Sequence, residues 1–429
     1  MSGHAASNDA TKVTLKSLFG NRVIRTIMLS VLFLQIGIWV RNYSILLYVM
    51  EKTGENAVAV SLISVAEFAP IFLFSFIGGT FADRWRPKRT MVWCDLLSAV
   101  SVFAVLLTLI LGSWKAIFFA TLVSSILSQF SQPSGMKLFK LHVPEAMIQM
   151  GMSMYQTIFA LFMILGPIIG TLVYQQYGID TAIAVMGVAF LLSAAVLLML
   201  PPDGEPAPRD HTSSLWGEMR AGFRYVLANR SLSALGGCFA AAGLALGLTQ
   251  PLMIFLVTER LGLPKEMLQW LMAVNGAAMI AGGGLTMGLA KQVAPQKLLV
   301  FGMTVSAAGF LILGLSQLLW LTLIAEFICG IVMPCIHIGI NTLILKNTEA
   351  DFVGRVNGIL NPLFMGAMVI TMSLAGKLKE WFSLVSIFEV SVVLFVVGIA
   401  IMLPVLKHRS ESAEGETVGA SGQKVGEGA

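Results

Sequence analysis

Apolar stretches of about twenty residues, nearly free of charge and divided by short polar breaks, recur along the whole 429-residue chain. A helix in a soluble protein turns one apolar stripe to the core and the rest to water. A segment apolar on every face has no such solution in water. At 1.5 Å of rise per residue it matches instead the ~30 Å hydrocarbon core of a bilayer. Lipid offers the backbone no hydrogen-bond partners, so such a segment must pair its own N–H and C=O groups and be helical. Charged residues make up only 12% of the chain, against roughly 25% in soluble domains.

The apolar runs predict twelve spans, at 24–48, 57–81, 91–112, 116–138, 150–174, 181–201, 229–257, 267–290, 298–318, 320–345, 356–377 and 384–406. The polar start, MSGHAASNDATKVTLK, has no apolar run of leader type, so the first span is expected to be retained. Charge orients the whole. With the N-terminus inside, twenty-one of the 28 lysines and arginines fall in inside segments, six fall outside, and Arg41 lies within a span. That bias predicts a multi-pass protein of the cell membrane with both termini cytoplasmic. The net charge of +5 is thereby accounted for without nucleic acid. Cys94, Cys238, Cys329 and Cys335 lie in or beside apolar segments with no CxxC pair, which predicts packing rather than metal or disulfide chemistry.

The middle break differs in kind. Residues 201–214 are rich in proline and polar groups, and after them Leu215, Met219, Phe223 and Val226 recur at helical spacing, with Arg220 and Arg224 on another face. This predicts an amphipathic helix lying on the inner leaflet. The chain also repeats. Shifted by 208 residues, 20–54 lies on 228–262 with five identities in 35 positions, among them Asn21 on Asn229, Glu51 on Glu259 and Gly54 on Gly262. In the same frame FADRWRPKR (81–89) lies on LAKQVAPQK (289–297). The expected organisation is a cytoplasmic tail (1–22), a six-helix bundle (23–201), a linker with the amphipathic helix (202–228), a second bundle (229–406) and a disordered tail (407–429). The fold class is all-α integral membrane, in two pseudo-symmetric six-helix bundles; parallel halves of this kind place a substrate site between them at mid-membrane.

GTFADRWRPKR (79–89), between the second and third spans, resembles the signature loop of the major facilitator superfamily, in Gly79, Asp83, Arg84, Trp85, Lys88 and Arg89. Arg86 and Pro87 stand where that pattern has Gly-Arg. Gly166-Pro167-Ile-Ile-Gly170 in the fifth span is similar to the end of the family's antiporter motif. FSQPSGMKLFKLHVPE, MRAGFRYVLANRSL and VGRVNGIL look like segments of its drug-efflux branch, which includes macrolide pumps and the enterobactin exporter. The resemblance implies a transporter rather than an enzyme: a monomeric secondary exporter of amphipathic small molecules, an antiporter exchanging them for protons without a cofactor and conferring multidrug resistance. Export of one dedicated metabolite such as a siderophore, lipid translocation, and a membrane receptor or enzyme remain alternatives. It implies that Asp83 contacts the start of the eleventh span as a gate, and that Arg84, Lys88 and Arg89 could pair with Asp95. The arginine that many members carry in the fourth span is missing, since residues 116–136 have no charge.

Charges within spans are few, and each costs at least ~2.5–3.5 kcal/mol at the bilayer centre, so they are expected to face protein or water. Arg41 and Glu67 fall at similar depth on adjacent spans and are expected to pair, either as a proton-coupling or substrate site or as a structural link. Glu326 and His337 on the tenth span are candidates for the same work. The deep polar residues Gln35, Asn42, Gln132, Gln250, Asn275 and Asn341 could read a substrate or join helices. A phosphate-binding loop, HExxH and GxSxG are all absent from the sequence, which argues against ATP hydrolysis and against hydrolytic chemistry.

Overall fold

The structure, a computed structural model, describes residues 21–203, 215–290, 292–349 and 352–423, with backbone alone for 75–84, 145, 146, 149, 215, 216, 218 and 405–423. Its helices are α1 (Arg22–Lys52), α2 (Ala57–Arg84), α3 (Pro87–Ile110) and α4 (Ile117–His142). Glu145–Leu198 follows as one hydrogen-bonded run, broken at Gly178 (φ 77, ψ −177) into α5 before it and α6 after it. Only glycine adopts that backbone geometry without strain. The rest are α7 (Leu215–Ala228), α8 (Arg230–Thr249), α9 (Leu268–Leu289), α10 (Pro295–Leu315), α11 (Leu319–Asn347), α12 (Val353–Trp381) and α13 (Leu384–Gln423). Past α8, Pro251 removes a donor, and the chain continues through a 3-10 turn and a π turn to Arg260.

Ten helical stretches among the described residues are long and apolar enough to cross a membrane. One of them, Met150–Leu198, holds both α5 and α6. The glutamines, serines and lysines of α4 keep it off that count. Adding both leaves twelve membrane helices, α1–α6 and α8–α13, with α7 apart. The helix of α13 runs on through Gln423, beyond Lys407, where composition alone predicts a disordered tail; no proline follows Pro404 to stop it.

The repeat is physical. Asn21 and Asn229 each cap a helix, their Oδ1 accepting from Val23 and Ile24 N–H in one case and from Ser231 and Leu232 N–H in the other. Gly54 (φ 60) and Gly262 (φ 64) end the same segments in the left-handed region. Pro87 and Pro295 open α3 and α10, where a missing N–H costs nothing. Packing repeats too. α1 lies on the α5–α6 pair as α8 lies on α12 and α13; α2 lies on α4 as α9 lies on α11.

The halves meet along α2 with α12 and along α5 with α9. Gly276 lets the α9 backbone approach the Met163 carbonyl, where an added Cβ would sit 3.0 Å from the oxygen. At the face away from the chain start, both halves share one core, which joins Tyr43, Leu47 and Val60 to Leu252, Phe255 and Ala375. At the terminal face, where α1 begins, the cores are separate: Ile24, Leu138 and Leu197 pack in one half, and Leu232, Leu299 and Leu360 in the other. α7 sits at that face, with Gly222 against Arg355 of α12, Val226 buried, and Phe223 and Leu227 exposed.

Candidate functional site

Each half carries a cavity lined by its own helices. The first half encloses about 230 Å³ among α1–α6, and its lining includes Gln35, Arg41, Glu67, Asp95, Gln129 and Gln132. Arg41 is 4% exposed. Its Nε donates to Asn42 Oδ1 (2.8 Å), and its Nη1 donates to Ser124 Oγ of α4. Asn42 Nδ2 in turn donates to Glu67 Oε1 (2.7 Å). The expected direct pairing of Arg41 with Glu67 is therefore corrected: the Asn42 amide stands between them, with its oxygen to the cation and its nitrogen to the carboxylate. One amide meets both because it has an acceptor and a donor at its two ends. The charge-free stretch of α4, up to residue 136, thus receives a guanidinium from its neighbour α1.

The second cavity, about 470 Å³, is apolar in character. Met253, Met272, Met303, Met333 and Met365 reach it from five successive segments, together with Phe239, Phe310, Phe364 and Phe395. Thioethers on unbranched chains adapt to differently shaped ligands. One buried carboxylate faces this space. Glu326 is 4% exposed and accepts from Asn275 Nδ2 (2.8 Å), which also donates to the Glu326 carbonyl (3.1 Å). Among the described residues no lysine or arginine pairs with it. Gln250, His337 and Asn341 line the same cavity. His337 makes no hydrogen bond to another described residue.

At the terminal face, the side chains of Gly79, Asp83 and Arg84 lie outside the described residues. The expected pairing of Lys88 and Arg89 with Asp95 is not what the structure holds. Lys88 Nζ donates to the Leu198 carbonyl (2.9 Å) and to that of Leu200, at the C-terminal end of α6, where a cation is favoured. Asp203 accepts from the backbone N–H of Lys88 (3.0 Å) and of Arg89 (3.1 Å) and so caps α3, whose own N-cap residue, Arg86, makes no capping bond. Asp95 lies seven residues past Lys88, ~10 Å along the helix. It is 3% exposed and accepts from Ser193 Oγ (2.6 Å), itself 2.8 Å from Ser30 Oγ. Asp95 belongs to the first cavity, not to the loop.

Gly166 and Gly170 let α5 lie directly on α1. A Cβ at Gly170 would be 2.7 Å from the Trp39 carbonyl oxygen and 2.8 Å from Tyr43 Cβ. One at Gly166 would run into the Trp39 ring. Pro167 sits between them within the helix.

Sequence reasoning missed Asp203, which acts 115 positions from the helix it caps. It also had no means of choosing the five cavity methionines from 24. The only available signal for Asp203 was an acidic residue in a linker next to basic loops.

The profile of the Major Facilitator Superfamily matches residues 27–250 and 235–425. The chain is 24% identical to the uncharacterized MFS-type transporter YkuC of Bacillus subtilis (strain 168), over 84% of this chain and 86% of the relative. It is 27% identical to the multidrug efflux pump Tap of Mycolicibacterium fortuitum, over 84% and 90%. Among solved structures, a POT family transporter in complex with a thioalcohol-conjugated peptide superposes with a TM-score of 0.73 at 14% identity, covering 93% of this chain and 98% of the other. A variant of the nucleoside transporter NupG gives 0.70 at 12%, covering 90% and 99%. These two likenesses concern the fold.

Proposed function

The chain belongs to the major facilitator superfamily of membrane transporters, and we propose that it exports amphipathic small molecules by alternating access, in exchange for protons. One observation carries this reading: the chemistry divides between two cavities. The first half holds the ionisable Arg41, Glu67 and Asp95 among hydroxyls and amides. The second holds a methionine- and phenylalanine-walled space with Glu326 inside it. An adaptable apolar pocket suits ligands of varied shape, and carboxylates in the other half suit the proton. The efflux activity named for the Tap relatives points the same way.

In this reading the terminal face is cytoplasmic, as the charge bias favours, and the shared core closes the outer face. Substrate enters from within and lodges against the methionines and Glu326. A proton on Glu67 neutralises the charge that Asn42 tethers to Arg41, which loosens α1 from α2 and biases the halves to rock. Asp83 serves as a gate against the start of α12, and the Gly166–Gly170 segment holds α5 close to α1.

The test is proton-coupled transport in inside-out vesicles, read by a pH-gradient dye, with lipophilic cations, macrolides and catechol siderophores. Lipophilic cations are expected to collapse the gradient, and Glu67→Gln is expected to abolish that collapse. Glu326→Gln is expected to raise the apparent KM for cations about tenfold and to leave neutral substrates unchanged. A gradient unaffected by every compound in the wild type overturns the reading.

A further inference from the structure

A third cavity, about 580 Å³, lies on the outside of the first half between α3 and α4. Arg86 and Arg89 stand at its terminal-face end, and Trp85, Trp93, Leu97 and Phe130 line the rest. Neither guanidinium has a hydrogen-bond or ion-pair partner among the described residues, and both residues are exposed. The groove continues as a stripe down α3, where Trp93 is 53% exposed, Leu97 48% and Val100 65%. Arg89, Trp93, Leu97 and Val100 fall at helical spacing on one face. From Arg89 to Val100 the helix rises ~16 Å, about half of the ~30 Å hydrocarbon thickness. Charge, then indole, then aliphatic surface is the order in which one phospholipid leaflet presents phosphate, glycerol and acyl chain.

We propose that this groove seats one anionic phospholipid, its phosphate on Arg86 and Arg89, its glycerol region against Trp85 and Trp93, and one acyl chain along Leu97 and Val100. Guanidinium groups match phosphate oxygens with two parallel N–H donors each. The net charge decides the lipid class. Two uncompensated cations favour a headgroup with no cation of its own over a zwitterionic one. The seat shares Cys94 and Leu127 with the wall of the first inner cavity but neither of its arginines, and Arg86 occupies a position where the family pattern has glycine. A lipid here would brace α3 against α4 beside the Lys88–Asp203 contacts.

The test titrates the purified protein in non-ionic detergent with phosphatidylglycerol or phosphatidylcholine of the same acyl chains, reading bound lipid by native mass spectrometry. The expected result is tighter binding of phosphatidylglycerol. Arg86→Gln with Arg89→Gln should weaken its first site about thirtyfold, from the worth of two arginines near an anionic surface. Trp93→Ala should weaken both lipids alike. Arg86→Lys with Arg89→Lys keeps the charge and should retain much of the preference, which covers any folding defect of the glutamine variant. Arg220→Gln with Arg224→Gln on α7 should change nothing. Equal affinity for the two lipids, unaltered binding in the glutamine variant, an equal loss in the α7 variant, or displacement by inorganic phosphate would each overturn the assignment.

Discussion

Lys265→Met removes the one ion pair that joins the two halves among the described residues. Lys265 Nζ lies 2.8 Å from Glu51 Oε2, and the same oxygen accepts from Tyr174 Oη at 2.9 Å. Glu51 is 64% exposed at its side chain, so the pair sits in high dielectric and is worth ~0.2–1 kcal/mol. It exists only while the halves touch at the face away from the chain start. Its whole worth therefore enters the equilibrium between that face closed and open, a shift of about 1.4- to 5-fold toward open. Glu51→Gln should give a smaller shift, because the amide oxygen still accepts from both partners. The double variant should shift no further than Lys265→Met alone. Spin labels at Asn56 and Glu266 would report the distance between halves, and the native cysteines are all buried and do not compete for label. High salt should narrow the gap between wild type and variant, since the Debye length falls from ~30 Å at 0.01 M to ~3 Å at 1 M. An unchanged distance distribution would show that the shared apolar core alone closes this face. A shift beyond tenfold would show that Lys265 does more than pair. Either result refutes the reasoning.

Asp203→Ala should cost ~1 kcal/mol of stability by uncapping α3, and Asp203→Asn should recover part of it, both read as thermal midpoints in detergent. Gly170→Val should destabilise by ~1–3 kcal/mol through overpacking on α1, while Gly283→Ala, with no atom within 4 Å of the added Cβ, should leave the midpoint unchanged. Asn42→Leu should cost ~1–3 kcal/mol by leaving Arg41 and Glu67 without their shared amide. Adding Glu67→Gln should return part of that, and a double-mutant cycle that sums without coupling would contradict the relay.

The repeat was legible because its signals are local. A cap at Asn21 or Asn229 needs only the next three residues, Pro87 and Pro295 can each start a helix by their own geometry, and Gly54 and Gly262 end segments by backbone freedom. Candidate residues fared by the same rule. Glu326 and Asn275 lie 51 positions apart, and nothing in either neighbourhood announces their hydrogen bond. Rise per residue led to the expectation that Arg41 and Glu67 lie at similar depth, and the structure joins them in one hydrogen-bonded chain. Their connection through Asn42 depends on how α1 and α2 are rotated against each other, which rise does not give.

Hydropathy, loop charge and the 208-residue repeat determined by themselves that this chain is a twelve-helix membrane protein in two related halves. Those signals survive in sequence because lipid acts on each segment separately: every span must be apolar and must satisfy its own backbone. Tertiary structure alone decided which polar side chains meet, that Asp95 faces a cavity while Asp203 does the capping, which methionines line one space, and which face of the molecule shares a core. Those outcomes depend on helix rotation and on close approach at Gly166, Gly170 and Gly276, which arise only when helices far apart in sequence pack together.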